Sequence, residues 1–230
     1  FHDWVYPSFH GKDVPKDYEA ESRSHAKAMM TDLLAAFAGD WTMHHKLRRY
    51  ADALGLHNSV RTDPIAEVLF PSREPKDWRK ARERQQAAAD KLAQEWNERE
   101  PDEVVSILTT VESRSRSACI SCMSWDGHVC CRIAETTDEL EVWTASLFKH
   151  NASPHLIQPF LDRLSASAPS LAEPWISMAL ESSGLRVLGV CMLVKHFSPD
   201  RPLWLIASQH FKECSYQIGI LVLQGTVKSR

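Results

Sequence analysis

A chain of 230 residues with 43% hydrophobic content is long enough to bury a real core, as one large domain or two small ones. A net charge of −3 gives no global case for nucleic acid or an anionic membrane, although a local basic face stays open. No apolar run reaches the roughly eighteen residues that cross a bilayer and no secretory signal opens the chain, so the expected location is cytoplasmic. Six cysteines, with Cys130 and Cys131 adjacent, suit free buried thiols in a reducing compartment better than a secreted disulfide framework. A start at Phe1 with no initiator Met reads as a processed or excised piece, or as a chain whose true start lies outside this numbering.

Residues 1–15 carry Trp4, Tyr6 and Phe9 without a period and read as an irregular lead-in. From Lys16 to Ala38, Ala26, Met29, Met30, Leu33, Leu34 and Phe37 recur at three and four, which predicts an amphipathic helix stopped by Gly39. Trp41, Leu47, Tyr50, Ala51 and Leu54 continue a second helix, ended by Gly55. Asp63-Pro64 supplies a cap and a first-turn proline for a short helix through Ile65, Val68 and Leu69. A long polar helix over 76–99 then carries only a narrow stripe of Trp78, Ala81, Ala88, Leu92 and Trp96. Glu100-Pro101 opens the next helix, with Val104, Val105, Leu108 and Val111 on one face, and Trp125-Asp126-Gly127 reads as a turn with Asp126 as a cap. These signals divide the chain into an N-terminal helical region, 1–100, and a region of helical hairpins, 101–230.

The second region is predicted as helices over 138–150, 153–166, 169–181, 184–196, 199–212 and 214–227. Trp143 and Trp175 open segments that can be laid over each other. Leu147 and Phe148 then match Ala179 and Leu180, while Leu156, Phe160 and Leu161 match Leu188, Met192 and Leu193. A weaker third copy starts near Leu203 and Trp204. A period of about thirty residues is that of a helical hairpin, which cannot bury its apolar face alone. The predicted fold is therefore all-α, a stack of such hairpins. One alternative stands beside it: 186–194 and 217–227 are short, rich in Val, Ile and Leu, and bounded by turn residues, as buried strands of an α/β C-terminal third would be. Ile218, Ile220, Leu221, Val222 and Leu223 are apolar nearly all round a helix. Such a helix must be covered on several sides, by residues 1–100 folding back or by further repeats beyond it.

Cys119, Cys122, His128, Cys130 and Cys131 have metal-like density and can be weighed as soft zinc ligands. Against that, Cys119 and Cys122 lie one helical turn apart on an apolar face, Cys130 joins Ile133 and Ala134, and the pairs are closer than in usual zinc motifs. Core packing is the preferred reading, so no metal or cofactor is assigned. Two basic clusters, 46–49 (Lys46, Arg48, Arg49) and Arg79, Lys80, Arg82, Arg84, are candidate phosphate contacts. His44-His45 are adjacent and diverge on a helix, and no phosphate loop, nucleophile elbow or kinase-like set occurs. No catalytic residue is assigned, and the tryptophans at 143, 175 and 204 are expected as core residues of their hairpins.

The runs PDEVVSILTTVESR, DELEVWTASLFKHNASPHLIQPFL and EPWISMALESSGLRVLGVCMLVKHFSPD together resemble degenerate HEAT-type helical repeats over residues 95–227. Arrays of that type occur in large bacterial multidomain proteins, among them signal-transducing NTPases of antiphage defence. The resemblance implies a non-catalytic scaffold or sensor segment that binds a protein partner, with any catalysis elsewhere in a longer chain or in the partner. Nucleic-acid binding along the basic faces is the second expectation, and a small metal-dependent enzyme the third.

Overall fold

The structure, a computed structural model, describes residues 16–60, 63–71, 78–117 and 124–210. Among them every regular element is helical: α1 (Lys16–Ala36), α2 (Trp41–Ala53), a single 3-10 turn (His57–Ser59), α3 (Pro64–Leu69), α4 (Trp78–Asn97) and α5 (Pro101–Ser117). They continue with α6 (Asp126–Thr136), α7 (Leu140–Lys149), α8 (Pro154–Ser167), α9 (Pro169–Glu181), α10 (Arg186–His196) and α11 (Leu203–Ser208). By its packing the chain divides into two units, Phe1–Gln85 with Val111–Trp125, and Gln86–Thr110 with Asp126–Arg230. The divisions fall inside α4 and α5.

In the first unit α1 and α2 bury Ala26, Met30 and Leu34 against Ala51 and Leu54, with Leu47, Tyr50 and Val60 at the margin. The periodicity of α1 holds for Ala26, Met30 and Leu34, while Met29 of the same predicted stripe is exposed, and Phe37, also exposed, lies just past a helix that ends at Ala36 rather than Ala38. Helix starts are fixed by short acidic side chains. Asp40 accepts from the backbone N–H groups of Thr42 and Met43 at 3.0 and 3.3 Å, and Asp63 from those of Ile65 and Ala66 at 2.9 and 3.0 Å. The orphan carbonyls at the end of α3 find donors as well: Gln85 Nε2 reaches Glu67 O at 3.0 Å and Val68 O at 2.6 Å, and the Trp125 N–H reaches Leu69 O at 2.7 Å.

In the second unit packing follows chain order. Helix α6 packs on α8 and α8 on α10, while α7 packs on α9 and α9 on α11. Each helix from α7 to α10 also touches its immediate successor. Most positions that match across the internal repeat are buried in both copies: Leu147 and Ala179, Leu156 and Leu188, Phe160 and Met192, Leu161 and Leu193; the pair Phe148 and Leu180 differs, Phe148 being only half-buried. Both α8 and α9 begin on a proline and carry another at their sixth position, Pro159 and Pro174. A proline there has no N–H to give the carbonyl four residues back, so each helix lacks one bond of its opening turns.

The strand alternative for 186–194 is overturned, because Arg186–His196 is a helix. The physical reason lies at Gly189, where a Cβ would stand 3.0 Å from the backbone nitrogen of Leu180 and 3.2 Å from the Ala179 Cβ. The missing side chain lets α10 press directly on α9, and that contact outweighs the strand preference of its valines. The companion segment 217–227 lies outside the described residues, as do residues 1–15 and the helix read over 214–227. Asp126 is the first residue of α6 rather than part of a separate turn, and α11 ends at Ser208, short of the expected 212.

Candidate interaction surface

The internal repeat puts equivalent tryptophans in different surroundings. Trp143 on α7 is only 2% exposed and lies stacked on Phe160 of α8, ring centres 5.4 Å apart. Trp175, its counterpart on α9, is half-buried and leans on Phe148 of α7 at 5.2 Å. The expectation of a core position holds for Trp143 and fails for Trp175, and Trp204 on α11 is likewise half-buried. The cause is the company each ring keeps: α9 has no room inward, because Ala172, Ile176, Ala179 and Leu180 already fill its inner face.

The outer face of α9 is apolar too. Leu171, Pro174, Trp175 and Met178 follow each other at three and four, so they share one side of the helix. Leu171 is 46% and Met178 50% exposed. On the helices that pack against α9, Val142 of α7 is 53% and Leu205 of α11 74% exposed. All four belong to the series α7, α9, α11. The other series, α6, α8, α10, contributes only Val187, 37% exposed, to the exposed large apolar side chains among the described residues. Single exposed apolar residues need no explanation, but a set gathered on successive helices does. The signal was present in the sequence, since 171–180 is apolar on two opposite sides of a helix.

Several charged groups of this unit hold helices together. Asp102 on α5 accepts from Ser146 Oγ (3.2 Å), Lys149 Nζ (2.8 Å) and His150 Nε2 (3.0 Å). The lysine and histidine hydrogen bonds hold its carboxyl below the usual carboxylate range. Asp162 on α8 is bound in the same way by Lys195 Nζ at 2.6 Å and His196 Nε2 at 2.7 Å, at the end of α10. His196 foremost, and then Lys195, lower its pKa. Asp90 holds His128 Nε2 at 2.8 Å and Arg132 Nε at 3.2 Å. Buried Asp126 takes the Gly127 N–H at 2.8 Å and His155 Nε2 at 3.0 Å, and Ser153 Oγ lies 3.0 Å from Nδ1 of the same ring. That Ser–His–Asp line can pass a proton along, but the serine meets the nitrogen opposite to the one a hydrolytic triad uses. Its plain effect is to tie the start of α8 to the start of α6.

The residues singled out from sequence fall out as follows. Arg79, Lys80, Arg82 and Arg84 stand exposed in the first two turns of α4, Arg79 3.5 Å from Glu83. The cluster at 46–49 does not form one basic face: Arg48 turns inward, 15% exposed, onto Glu67, while Lys46 and Arg49 stay outside. Cys119 and Cys122 lie outside the described residues. In the described part of that constellation, Cys130 is buried beside Ile133 and Ala134, Cys131 is exposed, and His128 is engaged by Asp90. Adjacent residues on a helix diverge by about 100°, so the two sulfurs do not converge. Among the described residues no helix is long and apolar enough to cross a membrane.

A helical unit with an apolar outer series is the class of structure these observations define. No protein-family model, no curated protein and no solved structure matches the chain.

Proposed function

We propose that the chain is a non-catalytic helical-repeat module, a scaffold or sensor segment that binds a protein partner through the outer side of α7, α9 and α11. The observation that carries the reading is the gathering of Val142, Leu171, Met178 and Leu205 on one helix series. Packing of each helix on its successor and on the one after it, in chain order, is how hairpin repeats bury their faces, and the extended side of such an array is suited to a partner. The HEAT-type resemblance adds a setting: a segment of a larger bacterial protein, such as an antiphage defence factor.

The test is site-resolved photo-crosslinking. A photoreactive residue at Leu171 or Met178 is expected to yield a discrete protein adduct in cells of the source organism, and one at exposed Gln158 on α8 is not. The adduct partner, purified, then loses binding to the Leu171→Glu/Met178→Glu variant. Equal labelling at all three sites, or none, removes the proposal.

A second reading, nucleic-acid binding, is supported by the exposure of Arg79, Lys80, Arg82 and Arg84 together at the start of α4. It requires affinity that falls steeply with salt and disappears in Arg79→Glu/Arg82→Glu/Arg84→Glu.

A further inference from the structure

We infer that the partner element seated on this surface is a basic amphipathic helix; the inference rests on the protein-binding reading above. Two features select a helix. First, the backbone N–H and C=O groups along the middle of α7 and α9 are spent inside the helices, so this side offers mainly side chains. An extended segment seeking a sheet edge finds none among the described residues, whereas a helix brings its own backbone already satisfied. Second, Leu171, Pro174, Trp175 and Met178 repeat at the spacing with which two helices interlock, and Val142 and Leu205 lie on the neighbouring helices of the series. Trp175 and Phe148 lean on each other at 5.2 Å, so each ring is already partly covered by the other.

Charge selects the sign. Asp138 and Glu139 stand exposed just before α7, Glu141 in its first turn and Glu181 at the end of α9. Their carboxylates make no ion pair with any described residue. Glu181 also sits where the α9 dipole disfavours an anion, so its own helix gives no reason for it. The cations of the same series are already committed: Lys149 to Asp102 at 2.8 Å, and Arg201, just ahead of α11, to Glu173 at 2.8 Å. Asp138, Glu139 and Glu141 suit the positive end of the α7 dipole, but none is neutralised by a described cation, so the helices that carry the apolar side chains also carry net negative charge. The complement is a helix with a Leu/Met-type stripe flanked by Lys and Arg, drawn in and aligned by that field.

The test uses the full chain and two designed fluorescent peptides of about five helical turns that share one leucine stripe, one flanked by lysines and the other by glutamates. Fluorescence anisotropy is expected to show the lysine peptide binding at least about tenfold tighter at low salt, with the gap closing at high salt. Glu141→Lys/Glu181→Lys is expected to cancel the preference. Leu171→Glu/Met178→Glu, which alters only exposed positions, is expected to remove binding while circular dichroism stays unchanged. Equal binding of the two peptides, or tighter binding of the glutamate peptide, with loss in the Leu171/Met178 variant, overturns the basic helix and leaves the surface standing. Failure of both peptides to bind, or binding that survives the Leu171/Met178 variant, overturns both.

Discussion

Asp162 shows how a single carboxylate is made to matter. Lys195 and His196 close on it from α10, so its folded pKa lies below the ordinary range and the charged form is the one the fold prefers. The sign follows: its contribution is complete at neutral pH, where both folded and unfolded chains carry the charge, and drains away as pH falls below about 4 toward the depressed folded value. Asp162→Asn is expected to cost about 1–2 kcal/mol at neutral pH, a modest figure because the carboxylate is a third exposed. In urea unfolding the gap between variant and parent narrows in acid; a gap independent of pH would show that no bound anion is involved. Gly189 works by absence. Alanine there gains at most about 1 kcal/mol of helix propensity but pushes a methyl onto the Leu180 backbone, so Gly189→Ala is expected to be net destabilising by about 1–2 kcal/mol. Gly184→Ala, with nothing within 4 Å of its Cβ, is the control and should move stability by less than about 0.5 kcal/mol.

At the scale of the element, periodicity carried the helices well and pairwise geometry poorly. The cap at Asp63 and the matched positions of the repeat are local facts and were read from the chain; the Asp40 cap and the proline starts of α8 and α9 are equally local but were not. The helix over 186–196 was ambiguous because its decision depends on Ala179 and Leu180, ten residues away, and no local pattern encodes that contact. Arg48 looked like part of a basic face because its partner, Glu67, belongs to another helix. The candidate surface was missed for a different reason: apolar residues were read as core wherever they fell, and α9 has more of them than its inner face can hold. The repeat therefore predicts equivalence where the structure gives asymmetry. Trp143→Ala is expected to cost about 3–5 kcal/mol, the usual loss for an emptied aromatic core site. Trp175→Ala should cost about 1–2 kcal/mol, in proportion to its partial burial. Equal costs by chemical denaturation would mean that the two rings share one environment after all.

For the molecule as a whole, the division between units does not follow the chain. A boundary at 100/101, natural from composition, separates α4 from the unit that takes most of it. A fragment beginning at Pro101 discards the buried Ala89, Leu92, Ala93 and Trp96, and removes Asp90 from His128 and Arg132. That fragment is expected to unfold in a broad, weakly cooperative transition, while the full chain melts sharply. A fragment as cooperative as the parent would show that the latter half of α4 is dispensable.

That interleaving also orders events during synthesis. The first unit needs Val111–Trp125 to be complete, yet residues 86–110 emerge earlier and belong with Asp126 onward. On the ribosome, then, Trp96 and Val104 leave the exit tunnel before most of the helices of their unit exist. A nascent chain of this design spends that interval with greasy surface uncovered, which makes slow translation through this stretch a hazard and chaperone contact there an advantage.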